Sequence, residues 1–173
     1  MKCSHYYNNC KILAPCCNII YNCHECHDHK ETHKINQRNI TQIICNKCNK
    51  IQNKSNICIN CSNKFSNYYC DICNIWCSSN NTYHCNKCNT CRVGNINNYK
   101  HCDKCKVCIH INKYEKHKCF SDGILECPIC IESINTSPNP SSILKCGHAI
   151  HIKCLNQLIK NNFNKCPICN HKM

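Results

Sequence analysis

The sequence is short of the residues that usually build a protein interior. Aromatic side chains make up 7% of its 173 residues and there are only three glycines. So few large apolar groups exclude a single sizeable core. The first residues, Met1 to Asn9, contain no apolar stretch of the kind a secretory signal requires. No apolar run approaches the length needed to cross a bilayer. Acidic residues are few as well, nine against 22 Lys and Arg. Cys-x-Cys pairs, the mark of a metal-storage protein, are absent although cysteine is abundant.

Cysteine is what the chain has instead, 26 residues accompanied by 12 histidines. Disulfides in an oxidising compartment or metal in a reducing one could use so many. The recurrence of Cys-x-x-Cys with histidine nearby favours zinc, and with it a cytoplasmic or nuclear location. Three blocks supply candidate ligands. The first holds Cys3, His5, Cys16, Cys17, Cys23, Cys26, His27, His33, Cys45, Cys48, Cys58 and Cys61. Its last four form a pair-gap-pair set that can close on one ion, whereas the partition of the first eight between two sites stays open. The second block holds Cys70, Cys73, His84, Cys85, Cys88, Cys91, His101, Cys102, Cys105, Cys108, His117 and Cys119. Within it His-Cys-x-x-Cys-x-x-Cys occurs at 84–91 and again at 101–108, a repeat of 17 residues. That period predicts stacked loops which share ligands between neighbours; the partition is again open. The third block holds Cys127, Cys130, Cys146, His148, His151, Cys154, Cys166 and Cys169.

Four ligands per zinc divide these 32 residues into eight ions with none over, leaving Cys10 and Cys77 as cysteines without a metal role. The formal charge of +13 also changes meaning. Eight Zn²⁺ on 24 thiolates contribute about −8 together, taking the folded protein to about +5. That surplus is no phosphate-binding signature, and the lysines are scattered among asparagines. The Asn, Ile and Lys content is that of an AT-rich coding sequence. Elsewhere the pattern predicts little regular structure: an isolated helix or strand between His33 and Cys45, a hinge at Ser121-Asp122-Gly123, a turn-rich loop over 136–142 and a short strand at Ile143-Leu144. His151 to Phe163 carries apolar residues at helical spacing and predicts one amphipathic helix. The fold class expected is therefore small zinc-stabilised modules, mostly irregular with short strands.

The third block resembles the RING finger of the two-histidine kind in ligand order and spacing. The segments Cys3-Ser4-His5-Tyr6, Ala14-Pro15-Cys16-Cys17 and Cys23–Asp28 resemble the CHY zinc finger. Tyr83–Gly94 and His101–Cys108 are similar to the CTCHY zinc finger. In this order the three resemble the RING-and-CHY-zinc-finger ubiquitin ligases, with modules at 1–65, 66–120 and 125–173. The resemblance implies a cross-braced RING in which Cys127, Cys130, His151 and Cys154 hold one zinc and Cys146, His148, Cys166 and Cys169 the other. It implies a ligase without a catalytic side chain, which docks a ubiquitin-conjugating enzyme and positions its ubiquitin thioester for transfer to a protein substrate. Ile129, Leu158 and Pro167 would form the docking groove. Asn170 stands where many RING fingers have Arg or Lys. Larger family members continue into another zinc-binding segment after the RING; four residues follow Cys169 here.

Three other readings are weaker. A zinc-array regulator that binds protein or nucleic acid would need clustered basic and aromatic residues on one face, and only the lysines between Lys100 and Lys118 approach that. Metal storage conflicts with the RING helix. A thioester-forming ligase would have to use Cys10 or Cys77, and neither has a motif around it.

Overall fold

The computed structural model describes residues 3, 5–6, 8–119, 126–137 and 139–173. The Ser121-Asp122-Gly123 hinge expected from the sequence lies outside them. The chain divides into two compact units, Met1–Asn80 and Asn81–Met173.

The first unit is built on an antiparallel sheet of four short strands in the order β2-β1-β3-β4. These are β1 (Cys10–Leu13), β2 (Ile20–Tyr21), β3 (Gln42–Cys45) and β4 (Ile51–Asn53). A single-turn helix α1 (His24–Asp28) follows β2, and a hairpin of β5 (Tyr68–Cys70) and β6 (Ile75–Cys77) closes the unit. Ile12, Ile40, Ile43, Phe65 and Trp76 gather into one buried cluster with Cys10, Cys45 and Cys58. This is more core than the aromatic content suggested, because β-branched isoleucine fills the strands. The Trp76 indole N–H is satisfied by donating to the Ser55 carbonyl at 2.7 Å. Between His33 and Cys45 the chain makes a 3-10 turn at Gln37–Asn39 and then β3.

The second unit begins with two hairpins that repeat each other. β7 (Thr82–Cys85) pairs with β8 (Thr90–Val93), and β9 (Tyr99–Cys102) with β10 (Val107–His110). Every boundary of the second hairpin lies 17 residues after that of the first, so the sequence period is a structural one. A single-turn helix α2 (Ile111–Tyr114) follows. The RING segment contributes a hairpin of β11 (Ser141–Ile143) and β12 (Ala149–His151), then the helix α3 (Ile152–Lys160). The helix is shorter than its apolar pattern: at Asn161 and Asn162 the chain turns off through a left-handed residue.

Val107 and Ile109 of the repeated hairpins share one buried cluster with Ile134, Ile143 and Ile150 of the RING segment. The RING therefore packs as one body with the hairpins before it. Arg92 adds a polar staple to that core. Only 2% exposed, its guanidinium donates to the carbonyls of Ile134 (3.2 Å), Asn135 (2.5 Å) and Ser137 (2.8 Å). A buried guanidinium is tolerated only when its donors are used in this way.

One local device recurs through both units. The residue after the second cysteine of eight tight ligand turns has a left-handed backbone: Asn18, Asn49, Ser62, Asn74, Asn89, Lys106, Ile131 and Asn170, with φ between 50° and 61°. In several of these turns its N–H closes onto the carbonyl four residues back, as with Asn49 to Cys45 (2.9 Å) and Asn170 to Cys166 (2.9 Å). Asparagine tolerates that conformation better than other residues with a side chain.

Candidate metal centres

The geometry resolves the partition that the sequence left open. Cys3, His5, Cys23 and Cys26 bring their ligand atoms together, and so do Cys16, Cys17, His27 and His33, and Cys45, Cys48, Cys58 and Cys61. Each set lies within 4.8 Å across all of its members. The helix α1 explains the first division: Cys23 at its N-cap and Cys26 serve one cluster, while His27, the next residue, points into the other.

In the second unit the repeat sets the pattern. Cys85 and Cys88, the turn of the first hairpin, meet His101 and Cys108, which face each other across the second. The turn of the second hairpin, Cys102 and Cys105, meets the segment after α2. There Cys102 Sγ lies 3.7 Å from Cys119 Sγ, and Cys119 lies 3.2 Å from His117 Nε2. His84 and Cys91 face each other across the first hairpin. Cys70 and Cys73 flank the β5–β6 turn in the first unit, the Cys73 N–H donating to Cys70 Sγ at 3.4 Å.

The RING ligands cross over. Cys130 Sγ is 3.3 Å from His151 Nδ1, and the Cys154 thiol is hydrogen-bonded with Cys127 and Cys130. Cys146 Sγ and Cys166 Sγ both lie 3.5 Å from His148 Nδ1, and Cys146 also meets Cys169. Two interleaved sets result: Cys127 and Cys130 from the start of the segment join His151 and Cys154 from its middle, and Cys146 and His148 from the middle join Cys166 and Cys169 from its end.

The donor sets and their spacing fit zinc. Four sulfurs about 2.3 Å from a tetrahedral zinc stand about 3.8 Å apart, close to the observed 3.4 Å for Cys3–Cys23, 3.5 Å for Cys48–Cys58 and 3.7 Å for Cys45–Cys61. A disulfide would need about 2.05 Å, and none of the 26 cysteines is in one. The surroundings favour thiolate at one ligand of a set. The Lys50 backbone N–H and the Asn60 amide, aimed at Cys48, hold its thiol down to about 6. Hydrogen bonding with Cys108, helped by the Arg92 charge and opposed by burial, takes Cys88 to about 4. Cys10, by contrast, is pushed up to about 12 by burial, as expected of a cysteine that only packs.

Carboxylates and carbonyls orient the histidines from behind. Asp28 lies 2.9 Å from His27 Nδ1, leaving Nε2 to face Cys16 Sγ at 3.2 Å. Glu25 stands 3.9 Å from His5 Nε2 and Asp103 3.7 Å from His101 Nε2, so these two rings offer Nδ1. The Tyr114 carbonyl does the same for His117 Nδ1. Asp28, Glu25, Asp103 and Arg92 were not found by sequence reasoning. A usable signal was there, since each of the four sits next to a candidate ligand and Arg92 is one of only two arginines.

The residues expected to meet a conjugating enzyme fall differently. Ile129 is 39% exposed on the first RING turn. Pro167 and Asn170 are exposed on the last one, while Leu158 is half-buried and packs against the shared core. Among the described residues no helix is long and apolar enough to cross a membrane.

The architecture is that of a zinc-binding protein with a finger-rich first half and a cross-braced RING at its end. Residues 3–68 match the CHY zinc finger family and residues 125–170 the RING finger domain family. A zinc finger protein BRUTUS-like of Arabidopsis thaliana is 39% identical over 99% of this chain. The E3 ubiquitin-protein ligase SRFP1 of Oryza sativa is 35% identical over 96% of it, and the E3 ubiquitin-protein ligase RZFP34 of Arabidopsis thaliana 32% over 96%. This chain belongs to the same family, the proteins that join a CHY zinc finger to a RING finger. It spans 14% of the length of the BRUTUS-like relative, 66% of SRFP1 and 62% of RZFP34.

Proposed function

We propose that the chain is a RING-type ubiquitin ligase unit, acting in the cytoplasm or nucleus, whose RING docks a ubiquitin-conjugating enzyme and whose finger modules at 1–65 and 66–120 receive the protein substrate. The observation that carries the reading is the cross-braced pair of ligand sets with Ile129 and Pro167 exposed on its two turns. An apolar side chain on a zinc-ligand turn has no core to enter, and contact with a partner is the use left for it. Relatives named as ubiquitin ligases support the same reading.

The zinc ions, eight if the ligand count holds, are structural. Each ligand set supplies four protein donors, so zinc holds loops in place and no position is kept for a reacting water. Catalysis is then positioning: the RING face, formed by Ile129, Leu158 and Pro167 with Asn170 at its edge, holds the ubiquitin thioester in a reactive pose while a substrate lysine attacks. Neither Cys10 nor Cys77 is needed as a nucleophile. The test is reconstitution of the protein with ubiquitin, activating enzyme and a panel of conjugating enzymes. Ubiquitin chains or self-modification with at least one of them is the expected result. Silence across the panel from zinc-loaded protein would overturn the proposal.

A further inference from the structure

A cleft of about 350 Å³ opens in the second unit between α2, the end of β11 and α3. Its floor is apolar, formed by Ile143, Leu144, Leu155 and Ile159. Ile159 remains 56% exposed, although α3 turns its other apolar side toward the core. The rim is basic: Lys113, Lys116 and Lys145 line the opening, and among the described residues no aspartate or glutamate side chain does. The Lys113 ammonium is held over the cleft by donating to Ser142 Oγ at 2.7 Å. An apolar slot of this size takes one bulky side chain, and three cations at its mouth select for negative charge beside that side chain.

From this juxtaposition we infer that the cleft binds an acidic segment of a protein partner, in which a large apolar residue is flanked by aspartate or glutamate. A nucleic acid fits less well. Single strands are held by stacking on aromatic side chains, and among the described residues no Phe, Tyr or Trp lines this cleft. An anionic membrane is also a poorer match, because three of the four apolar groups, Ile143, Leu144 and Leu155, are buried or half-buried rather than protruding. Ile129, Leu158, Pro167 and Asn170 are not among the lining residues. Binding here can therefore be measured without ubiquitin, and the inference stands apart from the ligase reading.

The experiment is fluorescence anisotropy on the zinc-loaded chain. Its probe is a short labelled peptide with a central Leu-Phe pair flanked by glutamate and aspartate. One twin peptide carries lysine for each acid, and another carries alanine for Leu-Phe. The acidic-apolar peptide should bind best, and added salt should weaken it. Lys116→Glu combined with Lys145→Glu should reduce affinity roughly tenfold, whereas Lys→Arg at both positions should keep it. Ile159→Ser, an exchange on the exposed side of α3, should weaken binding at unchanged zinc content; it decides the matter should charge reversal disturb the zinc. Equal binding of the twins, or indifference to both Ile159→Ser and charge reversal, would overturn the inference. So would displacement of the peptide by an RNA oligonucleotide or phosphatidylserine vesicles at lower concentration than by unlabelled peptide.

Discussion

The two ends of the RING carry the same tetrapeptide. Cys127-Pro128-Ile129-Cys130 and Cys166-Pro167-Ile168-Cys169 form superimposable patterns of hydrogen bonds: Ile131 N–H to Cys127 and Asn170 N–H to Cys166, at 2.8 and 2.9 Å. An antiparallel bridge brackets each turn, Glu126 with Ser133 and Lys165 with Lys172. The backbone is thus dictated by the cysteine spacing, and the two turns differ only in what surrounds them. Pro128 is half-buried where Pro167 is exposed, and the left-handed residue is Ile131 in one turn and Asn170 in the other. A β-branched residue at φ 61° is costly, and Ile131 is 73% exposed, so no burial offsets the cost. Identical ligand turns can serve one structural purpose while their flanking residues serve different ones.

Breaking the shared part should have the largest effect. Cys130→Ser and Cys169→Ser should each release zinc and unfold the RING, since a structural site contributes roughly 10–16 kcal/mol. Native mass spectrometry and thermal unfolding read this, and a variant that keeps its zinc and its melting temperature would show that its turn is not a ligand turn. Because Val107 and Ile109 share the RING core, the same loss should destabilise the repeated hairpins as well.

The next effect isolates the position after each turn. Ile131→Asn should stabilise the zinc-loaded protein by about 1 kcal/mol, by removing left-handed strain. Asn170→Ile should destabilise it by a similar amount. Opposite shifts in melting temperature are expected; shifts of the same sign would mean that side-chain packing governs these sites.

The smallest effect concerns Asn170 as a link between the conjugating enzyme and its ubiquitin. Asn170→Arg should speed ubiquitin discharge a few-fold, because a guanidinium offers a longer reach and more donors. The left-handed backbone does not forbid it, since Lys106 adopts the same conformation with φ 57°. Equal rates for the two proteins in single-turnover discharge onto free lysine would place that contact elsewhere or make it unnecessary.

Much of this was legible in the sequence. The 17-residue period became a pair of equivalent hairpins, because ligands at fixed spacing dictate a fixed turn. Ligand sharing between neighbours followed from the same period, and α3 from its apolar spacing. The split between His27 and Cys26 was not legible, because it depends on which way one turn of helix faces. Nor was the shared core of hairpins and RING, since Ile109 and Ile150 carry no mark of being partners. The asparagines were misread as composition alone. Those after Cys48, Cys73, Cys88 and Cys169 hold left-handed positions, and the recurrence of Cys-x-x-Cys-Asn was the available sign.

The central claim is that zinc shapes the RING turns while an exposed apolar residue on them does the work. Single-turnover discharge of a ubiquitin-charged conjugating enzyme by the wild-type protein and by Ile129→Ala, at matched zinc content, tests it most directly. Loss of a docking anchor costs more than 1 kcal/mol, so Ile129→Ala should fall about fivefold or more while binding the same number of zinc ions and melting at the same temperature. Full activity in a folded, zinc-replete Ile129→Ala protein would contradict the account.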